Sequence, residues 1–109
     1  MQEHLSQRGE FTLDSHTQRA ALNDRPLSLT STEFKYLSIL AQRANQVVSF
    51  EDLVYQASGE KLPASQARKL ARWHVWQLRK KLEPYPNHPR YLLNVRGYGY
   101  RLVTKHSED

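Results

Sequence analysis

Residues 65–103 read SQARKLARWHVWQLRKKLEPYPNHPRYLLNVRGYGYRLV, and this stretch decides the fold class. Its first part, 65–82, carries apolar residues at helical spacing, which predicts one long helix with a single buried stripe. Pro84 ends the helix because proline lacks the N–H group that another helical turn needs. Further on, residues 91–95 and 100–103 flank a glycine-containing turn, which predicts a β-hairpin. The buried stripe of the helix is formed by Ala67, Ala71, Val75, Leu78 and Leu82.

The chain before this helix predicts two shorter helices and a small sheet. TSTE at 30–33 and SFED at 49–52 are capping-box sequences, so we expect one helix from Thr30 towards Asn45 and another from Ser49 to about Ala57. A loop at 58–64 follows, because it contains Gly59 and Pro63. Short antiparallel strands are expected at 9–14, 18–22 and 27–29, with a turn at 23–26.

The order of these elements is strands, three helices and a hairpin, which predicts an α+β fold of the winged helix-turn-helix type. We expect one domain over residues 9–103, a flexible N-terminal segment at 1–8 and a flexible tail at 104–109. A chain of 109 residues can bury a core without disulfides or metal.

Composition removes several classes of function. The chain has no cysteine, which excludes disulfides, cysteine zinc sites and thiol catalysis. Its five histidines are scattered without a metal-binding pair, and no catalytic constellation is evident, so we expect neither an enzyme nor a cofactor. No apolar run is long enough to span a bilayer and no signal peptide is visible, so a cytoplasmic location is expected.

Positive charge is concentrated in the C-terminal part of the chain. Residues 65–105 hold ten lysines and arginines against one acidic residue, a net charge of +9, whereas residues 1–64 carry −2. This asymmetry indicates a polyanionic partner. The alternative is a basic face that is merely solvated.

The long helix is the predicted reader of duplex DNA. An α-helix fits the major groove, and flanking cations neutralise phosphates. A merely solvated basic face agrees less well with the sequence, because the neighbouring cations lack compensating acids and two tryptophans lie on the same side of the helix. The residues expected opposite the buried stripe are Arg68, Lys69, Arg72, Trp73, Trp76, Arg79 and Lys80.

Three aromatic residues of this helix have two interpretations each. Trp73 and Trp76 each either contact DNA or pack under the loop or against the hairpin, since tryptophan is usually partly buried. His74 lies at the edge of the apolar stripe, where a partly buried histidine is favoured over a phosphate contact.

The hairpin is the predicted wing. Gly97 and Gly99 permit backbone conformations closed to other residues and keep its tip narrow. Arg96 beside them offers a cation to a narrow minor groove, where A·T-rich sequence strengthens the negative potential. Tyr100 and Leu102 are expected in the core of the hairpin.

Five motifs resemble the OmpR/PhoB-type effector domain of bacterial response regulators, over about residues 9–103. The closing stretch is the most specific of them for that family. The motifs are TSTEF at 30–34, VVSFEDL at 47–53, LRKKLE at 78–83, HPRY at 88–91 and VRGYGYRL at 95–102.

The resemblance implies binding of promoter DNA, commonly as a dimer on direct repeats, within two-component signalling. It implies that Arg96 enters the minor groove and that Asn94, just before the wing tip, touches DNA. A receiver domain normally precedes this domain, and none fits within 109 residues. In the family the loop equivalent to 58–64 can contact RNA polymerase, which makes it a candidate contact here. On the helix, the implied contacts are Lys69, Trp73, His74, Trp76, Gln77 and Arg79.

The recognition helix departs from the family pattern. Arg72 stands in place of an acid, Trp73 in place of valine, Trp76 in place of a polar residue and Gln77 where arginine is frequent. We therefore expect an unfamiliar target sequence. The rival hypothesis is a winged-helix protein-interaction module anchored by Trp73 and Trp76, because tryptophan and arginine are enriched at interface hot spots.

Overall fold

The computed structural model describes residues 4–104. An N-terminal antiparallel sheet in the order β1-β2-β3-β4 precedes three helices, and a second sheet in the order β5-β7-β6 completes the fold. The strands are β1 Leu5–Arg8, β2 Phe11–Asp14, β3 Arg19–Leu22, β4 Arg25–Leu27, β5 Val47–Ser49, β6 Leu92–Val95 and β7 Gly99–Leu102, and the helices are α1 Ser31–Gln42, α2 Phe50–Ser58 and α3 Ala64–Leu82.

The N-terminal sheet begins earlier than the sequence predicts. Leu5–Arg8, part of the segment 1–8 predicted to be flexible, pairs with β2 in the register Leu5 to Asp14 and Arg8 to Phe11. This edge strand was missed because its side chains are exposed or half-buried and show no apolar alternation. Residues 1–3 of the same segment lie outside the described residues.

The last turn of this sheet is tighter than predicted. Asn23 and Asp24 both have positive φ, at 50° and 66°, which gives a two-residue hairpin turn. Strand β4 therefore starts at Arg25 and includes Pro26, instead of covering 27–29. Proline is tolerated there because β4 lies at the edge of the sheet.

The N-termini of α1 and α2 are capped largely as the sequence predicts. Thr30 Oγ1 accepts a bond from the Glu33 N–H at 3.1 Å, and Glu33 Oε1 accepts one from the Thr30 N–H at 2.9 Å, so the first capping box is complete. The second forms only in part: Ser49 Oγ accepts from the Asp52 N–H at 3.1 Å, while the Asp52 carboxylate pairs with Arg43. Each helix end is within two or three residues of its predicted position.

Helix α3 packs on α1 and α2, and the predicted stripe is the centre of one continuous core. All five stripe residues are buried, at 0–1% exposed. Tyr100 and Leu102 are buried as predicted. From the sheets and from the other helices the core receives side chains that include Phe11, Leu22, Leu37, Leu40, Val48, Leu53 and Leu92.

The wing is a three-stranded sheet and not an isolated hairpin. Val47–Ser49 pairs antiparallel with β7, so β7 is the central strand between β5 and β6. Thr104, assigned to the flexible tail, is buried, and its N–H donates to Asn45 Oδ1 at 3.1 Å while its hydroxyl accepts from Asn45 Nδ2 at 3.1 Å. The rest of that predicted tail, 105–109, lies outside the described residues.

Candidate nucleic-acid interface

The outward face of α3 is basic and aromatic. Lys69, Arg72, Trp73, Trp76 and Lys80 are all exposed on it. Both tryptophans are therefore surface residues, with 60% of Trp73 and 37% of Trp76 accessible to solvent. Both indoles are thus accessible to a partner, Trp73 more so than Trp76.

A concave surface joins this face to the wing. Arg68 and Arg72 line it from α3, and Asn94, Arg96 and Tyr100 line it from the wing sheet. The Arg68 guanidinium also lies 5.7 Å from the centre of the Phe50 ring, a cation–π contact that links α3 to the start of α2. Helix and wing thus present their cations to one side of the domain.

Arg79 and Asn94, both predicted to contact DNA, are bonded to each other. Arg79 Nη2 donates to Asn94 Oδ1 at 2.7 Å and to the Leu92 carbonyl at 2.7 Å, and Arg79 Nε donates to the same carbonyl at 3.0 Å. The guanidinium lies 5.7 Å from the centre of the Tyr100 ring. Burial lowers the pKa of Arg79, although arginine stays charged at neutral pH. This fork fixes strand β6 against the recognition helix.

Arg79→Ala is expected to destabilise the domain by about 2–3 kcal/mol, because hydrogen bonds from a charged donor contribute about 1.5–3 kcal/mol. The measurement is urea-induced unfolding followed by circular dichroism. Arg79→Lys keeps the charge but cannot form the fork, so it should recover little of the loss. Full recovery by lysine would show that charge alone matters at this position.

His74 is half-buried, with its ring 4.9 Å from that of Tyr36. Burial lowers the pKa of His74, and the nearby Glu33 carboxylate offsets part of this effect, so the ring is neutral at pH 7. Tyr36 is itself neutral, because burial raises its pKa to about 12. The position supports the packing interpretation of His74. Gln77 is also half-buried.

The wing tip carries an aromatic residue that the sequence analysis did not select. Tyr98 is 55% exposed between Gly97 and Gly99, and Arg96 beside it is exposed too. Of these two glycines Gly97 has a positive φ, at 74°, so the predicted backbone freedom is used at that position. Gly99 has a different role: a Cβ atom at this position would lie 1.8 Å from the Val48 carbonyl oxygen. The sequence signal that could have identified Tyr98 as exposed is its position between two glycines in a turn.

The loop between α2 and α3 forms a second concave surface with the wing tip. Tyr55, Lys61, Leu62 and Tyr98 are among its lining residues. Lys61 Nζ lies 5.7 Å from the centre of the exposed Tyr55 ring. Within residues 4–104, no group of three or more potential metal ligands occurs, and none of the helices is apolar over a membrane-spanning length.

Three packed helices, a basic and outward-facing third helix and a sheet wing beside it define a winged helix-turn-helix domain. The chain belongs to the family described as "Transcriptional regulatory protein, C terminal", which it matches over residues 24–102. The resemblance to OmpR/PhoB-type effector domains is thereby confirmed. The family is one of regulators and not of enzymes, in agreement with the sequence analysis.

The relatives include a response regulator and two solved domains. The chain is 34% identical over 93 residues to the DNA-binding response regulator MtrA of Mycolicibacterium smegmatis, covering 85% of this chain and 40% of that protein. The DNA-binding domain of CpxR from E. coli has a TM-score of 0.73 and 33% identity, covering 92% of this chain and 96% of that one. The AdeR DNA-binding domain, solved in complex with an intercistronic region, has a TM-score of 0.72 and 28% identity, covering 91% and 99%. The chain spans about 40% of the length of the curated relatives it matches.

Proposed function

We propose that this chain binds double-stranded promoter DNA sequence-specifically, as the effector domain of a cytoplasmic transcription regulator in two-component signalling. The observation that carries the proposal is the single surface on which the cationic face of α3 adjoins the wing. Family membership and the DNA-binding domains of CpxR and AdeR support it.

In this proposal α3 enters the major groove and the wing approaches the minor groove. Arg96 is the minor-groove cation, because it is exposed at the narrow tip of the wing. Arg79 and Asn94 act chiefly by fixing the wing against the helix. His74 contributes packing on Tyr36 more than charge. The residues proposed to contact DNA from α3 are Arg68, Lys69, Arg72, Trp73, Trp76, Gln77 and Lys80.

The regulator is proposed to act as a dimer on DNA. The loop at 58–64 is the candidate contact for RNA polymerase, and its Lys61 and Leu62 line a concave surface together with Tyr55. The exposed Tyr55 ring and the flanking lysine support a protein partner at this place, separate from the face of α3.

Salt dependence tests the proposal against the rival, a protein-interaction module anchored by Trp73 and Trp76. Duplexes selected from a random pool should bind with a log–log slope of about −0.9 for each phosphate neutralised. Lys69→Ala should reduce the magnitude of this slope by about one and weaken all sequences about equally. Fluorescence anisotropy over a range of salt concentrations gives the slope.

The control is Lys35→Ala, the same substitution at an exposed lysine of α1, outside α3 and the wing. It should leave the slope nearly unchanged. A flat salt response of the unaltered chain, or no duplex binding at low salt, would contradict the proposed function and favour the protein-interaction module.

A further inference from the structure

Two indole rings are exposed on the outward face of α3. Trp73 and Trp76 are three residues apart, so they are neighbours on one side of the helix. Within residues 4–104, neither ring makes a hydrogen bond, a ring contact or a cation contact. Large aromatic side chains normally bury most of their surface, whereas 60% of Trp73 and 37% of Trp76 stay accessible to solvent.

The surface between the rings is apolar and framed by cations. Lys69, Arg72 and Arg79 line it together with the two tryptophans. A partner that binds this surface must therefore have apolar groups next to negative charge. Duplex DNA has this combination in its major groove, where the C5-methyl group of thymine lies between two rows of phosphates. Charge complementarity thus favours DNA over an apolar face of a protein.

The polar atom of the indole narrows the choice of base. Nε1–H is a donor and the ring has no acceptor. Cytosine places only an amino donor in the major groove, and adenine pairs its N7 acceptor with an amino donor that an indole cannot satisfy and has no apolar group there. Guanine offers acceptors but no apolar group, whereas thymine offers the O4 acceptor and the methyl group together.

We propose that Trp73 and Trp76 select thymine, through contacts of their indole rings with C5-methyl groups in the major groove. This inference rests on the proposed function and names the bases that α3 reads. Three residues of helix rise by about 4.5 Å, and successive base pairs by about 3.4 Å. The two rings therefore reach thymines of adjacent base pairs.

Deoxyuridine substitution tests the proposal on the unaltered protein, because uracil differs from thymine only by the missing methyl group. Each thymine of a selected duplex is replaced singly by deoxyuridine, and the dissociation constant is measured. At each of two adjacent base pairs affinity should fall about fourfold, the effect of one buried methyl-sized group. Elsewhere in the duplex it should not change.

Variants assign each methyl group to a ring. Trp73→Ala should bind thymine and deoxyuridine equally at one of the two positions, and Trp76→Ala at the other. Trp73 is 60% exposed, so its variant should melt at nearly the same temperature as the parent chain, and binding by the variant of Trp76, which is 37% exposed, is measured well below its own melting temperature. The matched control is Tyr85→Ala, which removes an aromatic ring that is 72% exposed outside the helices. It should keep both thymine preferences.

The outcomes separate this proposal from the one on which it rests. Salt-dependent duplex binding with no difference between thymine and deoxyuridine overturns thymine selection and leaves the proposed function intact. Loss of self-association in the tryptophan variants, with thymine preference retained, also overturns it and places the rings against a second copy. Absence of duplex binding at low salt would contradict both thymine selection and the proposed function.

Discussion

Glu83→Ala is expected to destabilise the domain by about 3–5 kcal/mol, because a buried N–H that loses its partner costs about 1–3 kcal/mol. Glu83 is 5% exposed and follows the last residue of α3. Its Oε2 accepts the N–H groups of Tyr91 and Leu92 at 2.9 and 2.7 Å, and its Oε1 accepts that of Arg90 at 2.7 Å. One carboxylate thus ties the end of the recognition helix to the start of strand β6 and the two residues before it.

Chemical denaturation with urea measures this loss, and two variants control it. Glu83→Gln keeps one acceptor oxygen, so it should lose less stability than the alanine variant. Glu60→Ala removes an exposed glutamate from the α2–α3 loop and should change the free energy of unfolding by less than about 0.5 kcal/mol. Equal stability of the Glu83 and Glu60 alanine variants would show that the carboxylate does not hold the wing.

Gly99→Ala is expected to disrupt the pairing of β5 with β7 and to cost more than about 3 kcal/mol, because backbone cannot rotate away from an inserted group as a side chain can. A Cβ atom there would lie 1.8 Å from the Val48 carbonyl oxygen and 2.8 Å from Ser49 Cα. Thermal unfolding should move down by about 4–8 °C for each kcal/mol lost. Amide exchange at Val48 should quicken, because that strand loses its partner.

Gly97→Ala is the matched control for this substitution. A Cβ atom at Gly97 meets nothing within 4 Å, but the φ of +74° is unfavourable for alanine. The expected cost is the left-handed penalty of about 1–2 kcal/mol, without loss of the β5–β7 pairing. A smaller effect at Gly99 than at Gly97 would contradict the close approach of the two strands.

Much of the candidate site follows from helical geometry alone. The apolar stripe of α3 determines which side chains point outward, and Lys69, Arg72 and Lys80 are exposed as predicted. Trp73 and Trp76, for which packing was the alternative, are exposed too. The contact between Arg79 and Asn94 could not be predicted from helical geometry. Their bond joins residues 15 positions apart, and it exists only because β6 lies against α3.

Two strands were missed for related reasons. Strand β1 is an edge strand whose side chains are not buried, so it lacks the alternation by which strands are predicted. Strand β5 has only three residues, and it is stabilised by pairing with a strand about fifty residues later in the chain. The partner of β5 cannot be inferred from the local pattern, whereas β1 pairs with the strand that directly follows it.

The sequence by itself determined the three helices, their buried faces, the closing hairpin and the concentration of positive charge on the last helix. These properties depend on neighbours within a few residues: the period of apolar side chains, a capping box, a proline or a turn glycine. The tertiary structure alone decided which polar groups remain for a partner. Glu83 and Arg79 look like surface charges in the sequence, yet the fold uses both to hold the wing against the helix. Buried backbone groups must find partners, and the nearest partner is known only when distant segments have come together.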